Sequence, residues 1–445
     1  MKSRRRLQYA IMFVLLPVIL FRSADARVLT IDQAVQEALI GNQDYQIART
    51  ELEKAEAEIQ AAAADVYPHL SLGSTYTRNL EIPELVFGGQ TIKLGTENQI
   101  DAGLTLKQSI WQGGKALEAI KIARTYREYT KEAVREVEAE IVFNVRQSFL
   151  DVILARDVVN VFRDALAAAE LNLDIVSKMQ SQGVVSEYEK LRAEVEVANL
   201  RPQLMQAQNQ AALALHSLRN FLSLDLSEEL ELQYNFDSTT VGQVLNLPRV
   251  TELAIANRSA IQQQEHLKEI TSRAVRVAAA ERSPKFDFVS QYGWRYQADD
   301  FGLDGSDWSP NWTASISLSM PIFDGFATKA SVRKAKVDKR QAELGYEKIT
   351  EQVELQVRDA ILRYSEANAR LLSQRKTIEQ AEEGLRISRI RYQNGIGTQL
   401  EILSSESALT LARSNYVQAT HDAALAVYRL LRVTGIKNFD ELKEQ

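Results

Sequence analysis

Two stretches decide the fold of this chain: L104-T-L-K-Q-S-I-W-Q-G-G-K115 and I316-S-L-S-M-P-I-F-D-G-F-A327. Each runs out of a strand-like alternation, through a turn, into a helical pattern. Trp111 matches Phe323 at a shift of about 212 residues, and the shift holds downstream, where Gly183 matches Gly395 and Leu191 matches Leu403. Upstream it widens slightly, setting Tyr67-Pro68 against Ser283-Pro284 and Asn42 roughly against Asn257. The chain is therefore internally duplicated, and each copy joins a β signal to an α signal.

Four segments alternate with period two. His69–Thr77 places Leu70, Leu72, Ser74 and Tyr76 on one face. In 99–110, Ile100, Ala102, Leu104, Leu106 and Ile110 oppose Asp101, Gly103, Thr105, Lys107 and Ser109. In 285–296, Phe286, Phe288, Tyr292, Trp294 and Tyr296 oppose Asp287, Gln291 and Arg295. In 311–322, Trp312, Ala314, Ile316, Leu318, Met320 and Ile322 oppose Asn311, Thr313 and three serines. Each is about ten to twelve residues, enough for a tilted strand across a bilayer. Aromatic residues gather towards the ends, as an interfacial girdle requires. A soluble sandwich would alternate similarly, but only these four strands, as two hairpins, are expected. The loops 79–98 and 297–310 carry Pro83, Gly88, Gly89, Gly95, Gly302, Gly305 and Pro310, composition suited to the outer side of a barrel. Asp299, Asp300, Asp304 and Asp307 fit no defined metal loop and read as solvated.

The remainder is helical. From Val145, the positions Ser148, Val152, Ala155, Val159, Phe162, Leu166, Ala169, Leu173 and Val176 alternate steps of three and four, a heptad seam. Val357, Ala360, Tyr364, Ala367 and Leu371 open the matching seam. These helices are bounded by Gly113-Gly114 and Gly183, and by Gly325 and Gly395, so each spans about 65 residues, or roughly 100 Å. Returning helices follow, one of them carrying Pro202, which predicts a bend. Shorter amphipathic helices are expected over Ile31–Asp65 and Arg249–Arg282.

The chain thus divides into a leader (1–26), a first helical start (27–68), a membrane hairpin (69–110) and a long helical hairpin (111–222). An acidic, strand-like connector (223–247) precedes the second set at 248–283, 284–323 and 324–433, and a short tail covers 434–445. The leader has Lys2, Arg4, Arg5 and Arg6, an apolar run from Tyr9 to Phe21, and Ala24-Asp25-Ala26, a pattern for export and cleavage. Without residues 1–26, which hold five basic side chains and one acid, 48 basic and 58 acidic residues remain, a net charge of −10. That balance argues against nucleic acid as a partner. The sequence has no cysteine, hence no disulfide, thiolate metal site or acylated thiol. No 18-residue apolar segment follows the leader, so the chain can cross a membrane only as strands.

Four strands cannot close a barrel, and open edges are not tolerated in lipid. The chain must therefore assemble, and two, three or four copies would give 8, 12 or 16 strands. A helical cylinder continuous with a barrel is a duct.

Enzymatic chemistry has little to stand on. His69, His216, His266 and His421 show no metal spacing and read as polar or seam residues. G113-G-K115 is too short for a phosphate loop. No catalytic, cofactor-binding or metal-binding residue is assigned. The alternative is a periplasmic coiled-coil adaptor or scaffold, but the short strands of lipoyl-like and β-barrel adaptor domains are not found.

The chain resembles the TolC-type outer-membrane efflux proteins. The resemblance rests on S109-I-W-Q-G-G-K-A, M320-P-I-F-D-G-F-A, the tip R391-Y-Q-N-G-I-G-T-Q-L-E-I-L403 and its counterpart Q180-S-Q-G-V-V-S-E-Y-E189. It implies a homotrimer with four strands per chain: a 12-stranded β-barrel in outer-membrane lipid, continuous with a long coiled-coil α-helical barrel in the periplasm. It also implies a periplasmic adaptor and an inner-membrane pump as partners, in efflux or type I secretion. Gln182, Gly183, Val184, Asn394, Gly395 and Ile396 fall where the family docks its adaptor. Glu189 and Glu401 lie at equivalent points after the tip glycines, where like charges around a narrowing axis would select for cations. In the family Glu401 matches an acidic gating position and Tyr392 a tyrosine of the closing network. Ser404 and Gly397 depart from it, where a second acid and an arginine can stand.

Overall fold

The computed structural model describes residues 27–228, 230–300 and 308–443. The leader at 1–26 and the loop residues Gly302, Asp304, Gly305 and Asp307 lie outside them. The chain is mainly helical. Strand β1 (Arg27–Thr30) leads into α1 (Ile31–Gly41) and α2 (Gln43–Ala64), and β2 (His69–Arg78) opens the sheet. After β3 (Glu84–Phe87), β4 (Gln90–Lys93) and β5 (Asn98–Gln112), the chain turns into α3 (Lys115–Ser181) and returns as α4 (Glu187–Phe221). Strand β6 (Leu230–Gln233) begins the second copy: α5 (Leu247–Asn257), α6 (Ser259–Ala280), β7 (Lys285–Ala298), β8 (Trp308–Ser319), α7 (Ala327–Gln393) and α8 (Gln399–Thr434).

The two long helices each have 67 residues, and glycine sets their ends as expected. Before α3, Gly113 and Gly114 adopt φ of 63° and 80°, left-handed backbone that a side chain resists. A Cβ on Gly113 would also lie 2.3 Å from Cβ of Ser283, so this turn presses directly on the end of α6. The seam faces inward: Val145, Ser148, Val152, Ala155 and Val159 are buried, as are Val357, Ala360, Tyr364, Ala367 and Leu371. Each seam anchors a core half-way along the helices. The first gathers Leu29, Ala34, Ile141, Phe149, Leu218 and Leu232. The second gathers Val250, Ala254, Val353, Val357, Leu430 and Phe439. Pro202 lies inside α4, which continues through it.

Three expectations change. The helices read as single over Ile31–Asp65 and Arg249–Arg282 each break in two, at Asn42 and at Arg258. Both residues take extended backbone, with ψ of 125° and 118°. The counterpart of Asn42 is therefore Arg258 rather than Asn257. The strands are also more than four. Strand β1 pairs in parallel with β6, tying the start of the chain to the connector. In the loop after β2, β3 and β4 form a hairpin through Gly88-Gly89, whose φ values of 62° and 84° suit a tight turn matching strand twist. Finally, β8 stops at Ser319, leaving Met320 and Ile322 outside, because Pro321 has no N–H to continue a ladder.

The expected hairpins form one antiparallel sheet in the order β2-β5-β7-β8. Register aligns Leu72, Leu104, Tyr292 and Trp312 across it, and on the opposite face Gly73, Gly103, Gly293 and Asn311. No described residue covers the apolar face: Leu72 is 79% exposed and Trp312 75%. Its rings pack edge to face, Tyr292 lying 4.9 Å from Trp294 and 6.4 Å from Trp312. The other face is polar, with Arg295 Nε on Asp101 Oδ1 at 2.7 Å and Ser109 Oγ on Asp287 Oδ1 at 2.7 Å. A bulge between Ser109 and Trp111 sets Trp111 opposite Phe286 at the start of the helical part. Among the described residues no helix is long and apolar enough to cross a membrane.

Candidate gate and docking tips

Both long helices end in the same turn. Gln182 and Asn394 cap the helix ends, and Gly183 and Gly395 follow with φ of 74° and 72°. The Val184 N–H reaches Met179 O at 2.9 Å and the Gly183 N–H reaches Gln180 O at 2.9 Å. Ile396 and Gly395 repeat this on Arg391 O and Tyr392 O, each at 3.0 Å. This paired bonding satisfies the last carbonyls of each helix and needs the left-handed glycine. The apolar residue after that glycine usually folds back on the helix, yet Val184 is 63% exposed and Ile396 68%. All six expected tip residues thus sit at one end of the molecule's two hairpins, with their apolar members in solvent.

The returning helices begin at Ser186 and Thr398, whose side chains accept from the N–H of Glu189 and Glu401. S-x-x-E and T-x-x-E are the sequence form of a reciprocal capping box, in which the glutamate reaches back to the cap residue. Here both carboxylates go elsewhere. Glu189 Oε2 accepts from the Tyr392 hydroxyl at 3.4 Å, across from the first hairpin to the second. Glu401 Oε2 accepts from Arg391 Nε at 3.1 Å. Adjacent residues at the end of α7 therefore hold the two acids. Burial and the Glu189 carboxylate both push the Tyr392 phenol above its ordinary 10, so it stays a donor at any physiological pH. The Arg391–Glu401 pair is 46% and 39% exposed, a position where an ion pair contributes at most about 1 kcal/mol.

Arg391 was not among the expected residues, although it stands in the quoted tip sequence. Its guanidinium also donates to Ile396 O at 3.2 Å, and its own carbonyl accepts from Ile396 and Gly397. Gly397 is compulsory in this geometry: a Cβ would lie 2.9 Å from both Arg391 Cβ and Tyr392 N. An arginine at that position would force the turn open. Ser404 is exposed, one turn further along α8. Above the tip, Arg389 pairs with Glu406 at 3.0 Å and Ser388 with Ser405 at 2.8 Å, so α7 and α8 are stitched by polar contacts.

The histidines keep apart from one another. His421, half-buried on α8, joins Asp151 of α3 at 2.9 Å and Asp422 at 3.2 Å. Among the described residues no group of His, Cys, Asp and Glu is arranged to hold a metal ion.

The profile of the family described as outer membrane efflux protein matches residues 34–223 and 250–436, one match over each copy of the repeat. The chain belongs to the outer membrane efflux protein family. A probable outer membrane lipoprotein of Salmonella typhimurium, SilC, is 22% identical over 405 residues, 91% of this chain and 85% of that protein. The cation efflux system protein CusC of Escherichia coli is 23% identical over 416 residues, 91% of this chain and 88% of its own length. The Campylobacter jejuni CmeC outer membrane channel has the same fold, with a TM-score of 0.77 at 17% identity, covering 91% of this chain and 85% of that one. The efflux protein is thus an outer-membrane transport protein with a long helical periplasmic part, and the adaptor or scaffold alternative gains no support.

Proposed function

We propose that three copies of this chain form the outer-membrane exit duct of a tripartite efflux or type I secretion system. Each copy contributes four strands to a 12-stranded barrel and its long helices to a continuous α-helical barrel. One observation carries the reading: among the described residues, the sheet β2-β5-β7-β8 has two unpaired edges, β2 and β8, and an uncovered apolar face. Lipid covers such a face but cannot satisfy such edges, so other copies of the sheet must. Three is the number the family resemblance implies; strand number by itself speaks only against two, whose eight strands would be filled with side chains.

In this assembly the exposed tip residues Gln182, Gly183, Val184, Asn394, Gly395 and Ile396 dock a periplasmic adaptor, which links the duct to an inner-membrane pump. Glu189, Tyr392 and Glu401, repeated around the axis, form the gate at the closed end. The Tyr392–Glu189 contact holds the two hairpins together, and the carboxylates favour cations at the narrowing. Mass measurement of the detergent-solubilised protein tests the assembly. A mass of three chains is expected; a monomer or a dimer overturns the proposal.

A further inference from the structure

The two copies solve one local problem differently. Where the first short helix pair breaks, Asn42 caps α2, its side-chain oxygen accepting from the Tyr45 N–H at 3.2 Å. Where the second breaks, Arg258 occupies the cap position and makes no cap hydrogen bond. A guanidinium has no acceptor, and its charge is repelled by the positive end of the helix it precedes. The 22-residue helix α6 therefore starts with its first N–H groups uncapped by a side chain.

Arg258 is also buried, only 8% exposed. Its Nη2 donates to Glu136 Oε1 at 3.0 Å and its Nη1 to the Arg432 carbonyl. Arg432 shares the same Glu136 oxygen at 2.9 Å. Glu136 thus serves two guanidinium groups, with Glu140 Oε2 farther off at 3.8 Å from Arg432 Nη2. Arg146 lies nearby, its guanidinium 4.8 Å from the centre of the Tyr428 ring. Three donors in this group are buried without a partner: Nε of Arg146, Nε of Arg258 and Nη1 of Arg432. An unmet charged donor is expensive to bury, and here three occur together.

The three arginines line one cavity of 330 Å³, together with Ser259 at the start of α6. Five cationic side chains face it against two carboxylates, Glu136 and Glu138, and apolar groups from Val35, Leu39, Val142 and Phe143 complete the wall. Burial, aided by the neighbouring Arg432, holds the Arg258 guanidinium below its ordinary pKa against the opposing pull of Glu136 and Glu140.

We infer that this cavity is a binding site for a small anion, a phosphate or carboxylate group, which caps α6 and accepts from Arg146, Arg258 and Arg432. Helix N-termini and clustered arginines both suit such a ligand. The site lies within one chain, between the first copy (α1 and α3) and the second (α6 and α8). A bound anion ties the two copies together at the level of their helix breaks.

The test uses the full-length oligomer in detergent, in a low-salt zwitterionic buffer free of phosphate. Thermal midpoint is followed while inorganic phosphate, acetate or chloride is added at matched ionic strength. A saturable rise with phosphate, acetate or both, beyond that with chloride, is expected, and which of them works names the anion. The variant Arg258→Asn installs the first copy's own cap, so the fold has a ready solution, and its half-saturating concentration should rise at least tenfold. Arg146→Gln, which leaves the helix break untouched, should weaken the response in the same direction. A response no greater than that to chloride, or one that both variants retain undiminished, overturns the site.

Discussion

The hydroxyl of Tyr392, at the end of the second long helix, donates to the carboxylate of Glu189, at the start of the first returning helix, at 3.4 Å. The contact joins residues about 200 positions apart and, among the described residues, is the one hydrogen bond of the gate residues that runs between the two copies' hairpins. Removing it should loosen the tip without touching the barrel. Tyr392→Phe is expected to raise the resting single-channel conductance in planar bilayers several-fold, since a bond of about 1 kcal/mol is lost in every copy. Glu189→Gln, whose amide still accepts, should do less. Wild-type conductance in Tyr392→Phe rejects the latch.

The Arg391–Glu401 pair makes a prediction of opposite signs. Glu401→Ala should lower cation selectivity and weaken block by multivalent cations. Arg391→Ala uncovers the same carboxylate and should strengthen both. Reversal potentials in asymmetric salt measure the first effect and cation titration the second. If selectivity and block stay at wild-type values in both Glu401→Ala and Glu189→Ala, these carboxylates do not line the constriction.

The side chains of Val184 and Ile396 project into solvent from turns that use only the backbone of these residues. Val184→Glu and Ile396→Glu should therefore abolish efflux while assembled protein stays in the outer membrane at normal amounts. Drug accumulation and membrane fractionation read the two halves of that statement. Normal efflux in both variants removes the tips from the docking surface.

His421 gives a pH dependence. Burial pushes its imidazole down, but bonds to Asp151 and Asp422 outweigh this and leave it above 6.5. Asp422 also pairs with Arg370 at 3.3 Å. A raised pKa means that the folded state binds the proton more tightly. The resulting stability is fully present below the unfolded value of about 6.5 and disappears as pH rises through the folded value. His421→Gln should therefore melt below wild type at pH 6, by about 1–2 kcal/mol in stability, with the gap closing by pH 9. A gap of constant size across that range contradicts the charge argument.

Much of the architecture was legible because its punctuation is local. Gly113-Gly114, Gly183, Gly325 and Gly395 mark helix ends by backbone need alone, and heptad spacing found the buried seams before any contact was known. The breaks at Asn42 and Arg258 were missed because a cap only one residue long does not interrupt amphipathic spacing, and arginine is no stop signal. The β3–β4 hairpin was readable in principle, since Gly88-Gly89 sits between two alternating runs, but the loop's prolines and glycines masked it. Strands β1 and β6 are four residues each and pair over a separation that no local pattern reports. At the tip, the repeat placed Glu189 and Glu401 correctly as equivalents. It could not say that Arg391 would claim Glu401 across its own turn, or Tyr392 claim Glu189, because the first depends on side-chain packing and the second on how two hairpins lean together.

The order β2-β5-β7-β8 also sets the sequence of events in biogenesis. A single chain ends in two bare strand edges and an apolar face, a surface unsuited to water and a backbone unsuited to lipid. Entry into the membrane and association with other copies must therefore coincide. The rate of insertion should climb more steeply than linearly with the concentration of newly exported chains, and an orphan chain is a substrate for proteolysis rather than a small pore.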